Sequence, residues 1–528
     1  MFLFSADTPT DLSSPESESE HQPLSLRALL VCLIAGAATV FAFAPFGWWP
    51  VQIATLALLI HFFIRVSRPR DAFLLGWVFS SALLMAGTYW LVISLHTYGG
   101  LPAWLAVIAI MLLSCSLGLL YGFALWVGAR ITLRIKHAGL AALAIAPACW
   151  MLADWTRNWI FTGFSWLATG YAHTTSPLSG YAAVIGVYGI GWICTIIAGC
   201  IAWIFQTSYF NRVAIALIII LIGVGSVLKS IHWTEVNGSL IRVRLLQGNV
   251  PQQMKFNEQH VLQSLTLYHD MITEAPADLI ATPETAVPLL STQLPENYLE
   301  NLAHFAWKNN STLLVGIPWS PGPGIYLNSL VGYSFAQATP YRYDKHHLVP
   351  FGEFIPPGAR WFVDMMHIPL GDFGRGDLYQ APIDVRDQWV LPNICYEDLF
   401  GEEIAAQIAA AVDRGSPEPT LLLNVSNIAW FGDSIALPQH LQISQMRTLE
   451  TGRPMLRATN TGATAVIDSQ GQVLSQLPPW TRATLEADVQ GMKGITPYIR
   501  LGNLPVVGLA SLLLLGLWFI GRQARKSG

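Results

Sequence analysis

LPAWLAVIAIMLLSCSLGLLYGFALWV, residues 101–127, contains no charged side chain, and its reading decides what kind of fold the chain can adopt. At about 1.5 Å per residue, a helix of this length outruns the roughly 30 Å hydrocarbon core of a bilayer, so the stretch predicts a membrane span rather than a buried soluble helix. Similar segments recur at 26–45, 48–64, 72–94, 139–154, 180–205, 212–230 and 504–521, for an expected total of about eight spans. The segment 139–154 is the weakest, being short and ending on Asp154. Composition agrees: the 528 residues are 53% hydrophobic and only 12% charged, with a mean hydropathy of +0.44, whereas ordinary soluble domains are about 25% charged.

Working outward, the loops set an orientation. Arg65, Arg68 and Arg70, then Arg130, Arg134 and Lys136, then Arg212, and finally Arg522, Arg525 and Lys526 all fall on one side, while the opposite loops offer only Arg157. Cytoplasmic loops collect Lys and Arg, so both termini are expected in the cytoplasm and the segment after residue 231 outside it. Residues 1–25 are acidic, contain no Lys or Arg before Arg27 and have no apolar core of their own; they read as a disordered cytoplasmic tail, not a cleavable signal peptide.

Residues 232–500 differ in kind. Charges become frequent, and short β-type runs at 241–247, 278–282, 311–318, 328–334, 389–394, 420–426, 454–460 and 463–469 alternate with patterns of helical period such as EQHVLQSLTLYHDMITEA and ENYLENLAHFAWKNN. Such alternation predicts a layered α/β domain whose chemistry gathers at strand ends. The division expected is therefore 1–25 tail, 26–231 membrane part, 232–500 globular domain, and 501–528 last span with a basic tail. Phosphate-binding loops, dinucleotide fingerprints and zinc-type cysteine pairs are absent from the sequence. The net charge of −4 does not support a nucleic-acid surface. Residues 356–377 carry Trp361, Phe362, Met365 and Met366 without helical or strand period, which suggests an apolar flap.

Of six cysteines, Cys32, Cys115, Cys149, Cys194 and Cys200 lie in the apolar segments, and Cys395 in LPNICYEDLFGEE stands alone. With no partner in its domain it is an inert thiol or a nucleophile. A nucleophile needs a base and an anion stabiliser, and the domain offers Glu284 in DLIATPETAVP and Lys345 and Glu353 in YRYDKHHLVPFGEFIP. Taken singly, each has a plainer reading, as a helix-start acid, a surface charge and a cap.

Together PETAVP, KHHLVPFGEFIP, ICYED, NVSNIAWFG and LETGRPMLRATNTG resemble the nitrilase superfamily. Set between seven spans and an eighth, they resemble the apolipoprotein N-acyltransferase family of Gram-negative bacteria over nearly the whole chain. The resemblance implies a membrane α-helical bundle carrying an extracytoplasmic nitrilase-like α-β-β-α sandwich. It implies Glu284 as general base, Lys345 as electrostatic stabiliser and Cys395 as nucleophile, with Glu353, Tyr396 and Glu397 in support. Trp166, Phe256, Trp430 and Phe431 would face substrate; for Trp166 an interfacial aromatic anchor is the plainer reading.

The implied partners are a phospholipid acyl donor, a diacylated apolipoprotein acceptor and the membrane, for a monomeric inner-membrane enzyme with a periplasmic catalytic domain and no cofactor or metal. The pattern departs at Phe256, where a tryptophan is expected, at Thr282, where an apolar aromatic is expected, and at Ile428, where an acid is expected. These departures bear on how lipid or acceptor is seated. Two other readings stay open: a membrane-tethered amidase acting on a small C–N substrate, and a transporter or receptor whose outer domain only binds.

Overall fold

The computed structural model describes residues 24–527 apart from 208–210, 253–257, 336, 338, 357, 359 and 361–372. Among the described residues, five helices are long and apolar enough to cross a membrane: Ala103–Ile135, Ala138–Arg157, Pro177–Gln206, Arg212–Lys229 and Leu504–Gln523. A sixth is reached if Pro69–Gly87 and Leu91–Tyr98, bent by 62° at their junction, form one span. The first two segments make shorter apolar helices, Leu26–Ala42 and Trp49–Phe63. At about 1.5 Å per residue neither exceeds about 26 Å, so the expected eight is not reached by length and composition.

The second half is built on two six-stranded sheets, in orders β12-β1-β2-β3-β4-β5 and β11-β10-β9-β8-β7-β6. The first comprises β1 (Glu235–Gln247), β2 (Leu279–Ala281), β3 (Thr312–Gly322), β4 (Ile325–Tyr333), β5 (Tyr341–Asp344) and β12 (Ala483–Lys493). The second comprises β6 (Ile383–Val385), β7 (Gln388–Ile394), β8 (Leu421–Ser426), β9 (Met455–Thr459), β10 (Ala465–Ile467) and β11 (Val473–Gln476). In each sheet the three central strands run parallel.

Side chains alternate across a strand, and the burial follows that rule. Ile241, Val243, Leu245, Leu279 and Leu314 from one sheet meet Val390, Leu421, Leu423, Val425 and Leu456 from the other in a dry core. Their neighbours point outward. Leu246, Ile280, Leu313 and Val315 pack under the helices Glu258–Thr273 and Tyr298–Lys308. Leu391, Leu422 and Met455 pack under Gly401–Asp413. The result is an α-β-β-α sandwich, the layered α/β domain that the sequence pattern predicts in the form that the resemblance implies. β5, β6, β11 and β12 are not among the expected strands, and β1 starts six residues earlier than expected.

The helix Ala436–Thr451 joins the two halves. Its sequence, ALPQHLQISQMRTLET, is polar, yet it is buried on nearly every side. Leu441 faces the second sheet through Ala465 and Ile467, while Ile443 and Met446 join the core of the membrane part. A polar helix buried this way must have its hydrogen bonds met. Gln442 Oε1 accepts from Ala44 N–H (3.0 Å), and Gln439 Oε1 accepts from Trp166 Nε1–H (2.8 Å). Glu450, paired with Arg447 at 3.0 Å, accepts from Val187 N–H at 2.9 Å. That N–H is available because Gly186, at φ 64°, breaks the helix Ala182–Gln206; only glycine takes such a conformation without strain.

The segment before the last helix fastens the same junction. Thr496 Oγ1 donates to the Glu450 carbonyl at 2.8 Å, and Tyr498 lies against Gly186. Asn503 Nδ2 donates to Glu402 at 2.6 Å, while Asn158 from the membrane part donates to the other Glu402 oxygen at 2.9 Å.

Candidate active site

The candidate residues stand where strands end. Glu284 follows β2, Lys345 follows β5, Cys395 follows β7 and Asn427 follows β8, so both sheets contribute. Lys345 is buried, and its ammonium reaches Glu284 Oε1 at 3.1 Å and Glu353 Oε1 at 2.9 Å. Asn328, on β4, donates from Nδ2 to the same two oxygens, at 2.7 Å each. Two carboxylates thus face one cation and share one amide. Val349 N–H holds the other oxygen of Glu353 at 2.8 Å, and the backbone N–H of Lys345 is fixed to the Asn328 carbonyl at 2.8 Å.

Cys395 is half-buried and adopts φ 54°, a left-handed conformation at the turn from β7 into the 3-10 helix Cys395–Leu399. A non-glycine residue there stores strain, of about 1–2 kcal/mol. The N–H of Asn427 donates to Glu284 Oε2 at 2.9 Å, and Glu284 and Lys345 are the charges that act most strongly on the Cys395 thiol. Burial alone would raise the Glu284 carboxyl, but the Lys345 charge and the hydrogen bonds from Asn328, Lys345 and Asn427 hold it below its ordinary 4.5. The thiol moves the other way. Burial and the negative charge of Glu284 push it above its ordinary value, and Lys345 offsets only part. Cys395 therefore rests as a neutral thiol beside an ionised carboxylate.

Glu397 knits the cysteine turn to the lysine loop. Its carboxylate accepts from the N–H groups of His346 (2.7 Å), His347 (3.2 Å) and Ile394 (2.6 Å), and from the Tyr343 hydroxyl at 3.0 Å. Tyr396 faces the membrane part, donating its hydroxyl to the Gly163 carbonyl at 2.5 Å.

Trp166 is buried, not an interfacial anchor: it packs on Trp90 (4.9 Å between ring centroids) and stacks on His440 at 5.7 Å. Phe431 lies against Trp90 at 4.3 Å, and Trp430 against Tyr98 at 5.4 Å. The structure therefore gathers Trp166 and Phe431 in one aromatic cluster, which His440 connects to the Cys395 turn. Phe256 and the flap residues Trp361, Phe362, Met365 and Met366 lie outside the described residues.

Sequence reasoning missed Asn328, Asn427 and His440. The signal for Asn328 was an amide in an otherwise apolar strand, NSLVGYS, where a buried polar group needs a partner. The departure at Thr282 has a local reason, since its hydroxyl accepts from Gly316 N–H at 2.9 Å and pins β3 beside the Glu284 turn. Gly316 is required there. A Cβ at this position would lie 2.2 Å from the Pro283 carbonyl oxygen and 3.1 Å from the Glu284 Cα. Gly316→Ala is expected to cost about 1–3 kcal/mol by overpacking and to slow the site's reaction by displacing Glu284. Thermal unfolding and initial rates check this, and an unchanged midpoint and rate would refute it.

A carbon-nitrogen hydrolase family model matches residues 242–497, so the sandwich with its carboxylate, lysine and cysteine cluster belongs to the nitrilase-like class. Saccharomyces cerevisiae Nit3, a member of that superfamily, aligns at 15% identity over 52% of this chain and 96% of its own, with a TM-score of 0.36. The model described as apolipoprotein N-acyltransferase N-terminal domain matches residues 35–200. Full-length relatives carry the same name. That of Ralstonia nicotianae is 45% identical, covering 95% of this chain and 97% of its own. Those of Nitrosomonas europaea (44%, 92% and 96%) and Chromobacterium violaceum (41%, 96% and 96%) are similar. The chain belongs to the apolipoprotein N-acyltransferase family.

Proposed function

We propose that the protein transfers an acyl chain from a membrane phospholipid to the N-terminal amine of a diacylglyceryl-cysteine on apolipoproteins, the last step of bacterial lipoprotein maturation, through a thioester on Cys395. Glu284 takes the thiol proton, and the sulfur attacks the ester carbonyl. Lys345 and backbone N–H donors stabilise the tetrahedral oxyanion. The carbon–oxygen bond breaks, the lysophospholipid leaves with the proton from Glu284, and the acyl group stays on sulfur. In the second half Glu284 accepts a proton from the attacking amine, an amide forms, and the sulfur leaves and is reprotonated. No external energy source enters, because one acyl bond is exchanged for another at each step.

The observation that carries this reading is the packing of the nucleophile's turn on the membrane part, through Tyr396 to Gly163 and through the Trp166 stack on His440. Both substrates carry long chains, and exposing those to water costs about 0.8 kcal/mol per CH₂. A site fastened to a membrane bundle avoids that cost. A tethered amidase for small soluble substrates has no use for such a junction, and the family relationship does not favour it.

In this reading residues 26–231 and 501–528 seat the lipid, and residues 232–500 carry the chemistry on the periplasmic face of the inner membrane, with both termini cytoplasmic. The distribution of Lys and Arg supports that orientation. The enzyme works as a monomer in this reading.

The test is direct. Full-length protein in vesicles of phospholipid with a labelled acyl chain should acquire label that neutral hydroxylamine releases. A diacylated lipopeptide should then discharge it into an amide. Absence of any hydroxylamine-labile label would refute the acyl-enzyme, and discharge only to water would identify a hydrolase.

A further inference from the structure

The nucleophile's own carbonyl needs an anchor. With φ 54° at Cys395, the Cys395–Tyr396 peptide unit is turned out of the strand, and its carbonyl accepts from Asn424 Nδ2 at 3.2 Å and is 3.3 Å from His440 Nε2. The other ring nitrogen of His440 faces Arg457 Nη2 at 3.0 Å. A guanidinium has donors only, so Nδ1 must accept and Nε2 must carry the hydrogen. The ring is neutral and donates to the Cys395 carbonyl.

Arg457 also pairs with Asp398 at 2.9 Å, three residues beyond the cysteine, and both bond Ser444 on the helix that carries His440. The chain of contacts closes on itself: cysteine turn, imidazole, guanidinium, carboxylate, cysteine turn. One face of the imidazole is covered by Trp166, stacked at an interplanar angle of 16°. Arg157 holds the Trp166 loop by the carbonyls of Phe164 (2.9 Å) and Trp166 (2.6 Å).

A trans peptide is planar, with its C=O and N–H pointing opposite ways. Fixing the Cys395 carbonyl therefore fixes the Tyr396 N–H, which opens a 3-10 helix, where N–H groups have no partner within the helix. We propose that His440 is a positioning residue: its Nε2–H on the Cys395 carbonyl aims the Tyr396 N–H at the oxyanion of the acyl-transfer intermediate, and the Trp166 stack links that aim to the membrane part. The proposal rests on Cys395 being acylated, but not on which lipid supplies the acyl group.

The experiment uses full-length protein in detergent and p-nitrophenyl butyrate, whose burst of p-nitrophenolate reads acylation of Cys395 without a phospholipid. His440→Ala should lower the acylation rate constant about 10²–10³-fold, the effect of losing an oxyanion donor, with KM changed less than about threefold. His440→Gln can accept from Arg457 and donate to Cys395, and should recover to within about tenfold of wild type. Alkylation of Cys395 by iodoacetamide needs no oxyanion donor and should be nearly unchanged in both. Should His440→Ala not fold, His440→Met fills the space without donating.

Equal loss in the Gln and Ala variants, an equal slowing of alkylation, an unimpaired Ala variant or a wild type without a burst would each overturn the proposal. A normal burst with no label from phospholipid would instead overturn the lipid substrate and leave the role of His440 standing.

Discussion

Cys395→Ala is expected to lower acyl transfer by about 10⁴-fold or more, the scale seen when a covalent nucleophile is deleted, while the protein remains folded. Among the described residues the other groups of the site are two carboxylates, an amide and an ammonium, and none of them combines a thiol's nucleophilicity with a place on the Cys395 turn. The substitution removes one half-buried atom and keeps a side chain of similar conformational preference at φ 54°. The thermal midpoint should therefore move little. Measuring transfer to a diacylated lipopeptide alongside thermal unfolding checks both halves, and a residual rate within about tenfold of wild type would sink the covalent mechanism.

Lys345→Met is expected to act on both chemistry and stability. The side chain is buried against two carboxylates at 3.1 and 2.9 Å, and removing one partner of a buried ion pair costs about 3–5 kcal/mol. Acyl transfer should fall by about 10³-fold with the loss of the oxyanion's cation.

The pH dependence should also change sign. In the wild type Glu284 is held below its ordinary 4.5, so its contribution to stability is complete above that value and is lost as pH falls through the lowered one. Without Lys345, burial dominates and the carboxyl rises above its ordinary value, so stability falls as pH rises past 4.5. The stability gap between wild type and variant should therefore be larger at pH 8 than at pH 4. A gap independent of pH would show that Lys345 contributes packing rather than charge.

The strands at the centres of the sheets were legible because both of their faces are buried: β3 and β8 read as Leu and Val runs whose alternate members enter different cores. β12 was not. Its inner face is Leu485, Ala487 and Val489, but Glu486 and Asp488 lie opposite Arg244 and Arg242 of β1, and those charges hid the alternation.

Glu284, Lys345 and Cys395 were legible as candidates through their motifs, since each sits in a short run at a strand end, and the structure places the Lys345 ammonium 3.1 Å from Glu284. Asn328 was not, because an asparagine opening an apolar run reads as a turn. The polar helix Ala436–Thr451 was not either, because what it buries against lies far away in sequence, in the membrane part. Trp166 was singled out as a substrate contact or an interfacial anchor, and neither reading included its stack on the His440 imidazole, which comes from a helix far away in sequence.

The resting state of the pair also bears on resistance to oxidation. A thiol raised above its ordinary value, next to a carboxylate held below its own, is a poor target for oxidants, which react with thiolate. In the proposed mechanism, proton transfer awaits the ester carbonyl that takes up the developing charge.

The clasp at Thr496–Asn503 works as a lever between the two halves. Thr496 reaches Glu450, Tyr498 lies against Gly186, and Asn503 shares Glu402 with Asn158, so one short segment ties the helix Leu504–Ser527 to the helix Ala436–Thr451. A tilt of that last helix would be felt at Glu450, about three turns along the same helix from His440, and from there at the Cys395 carbonyl.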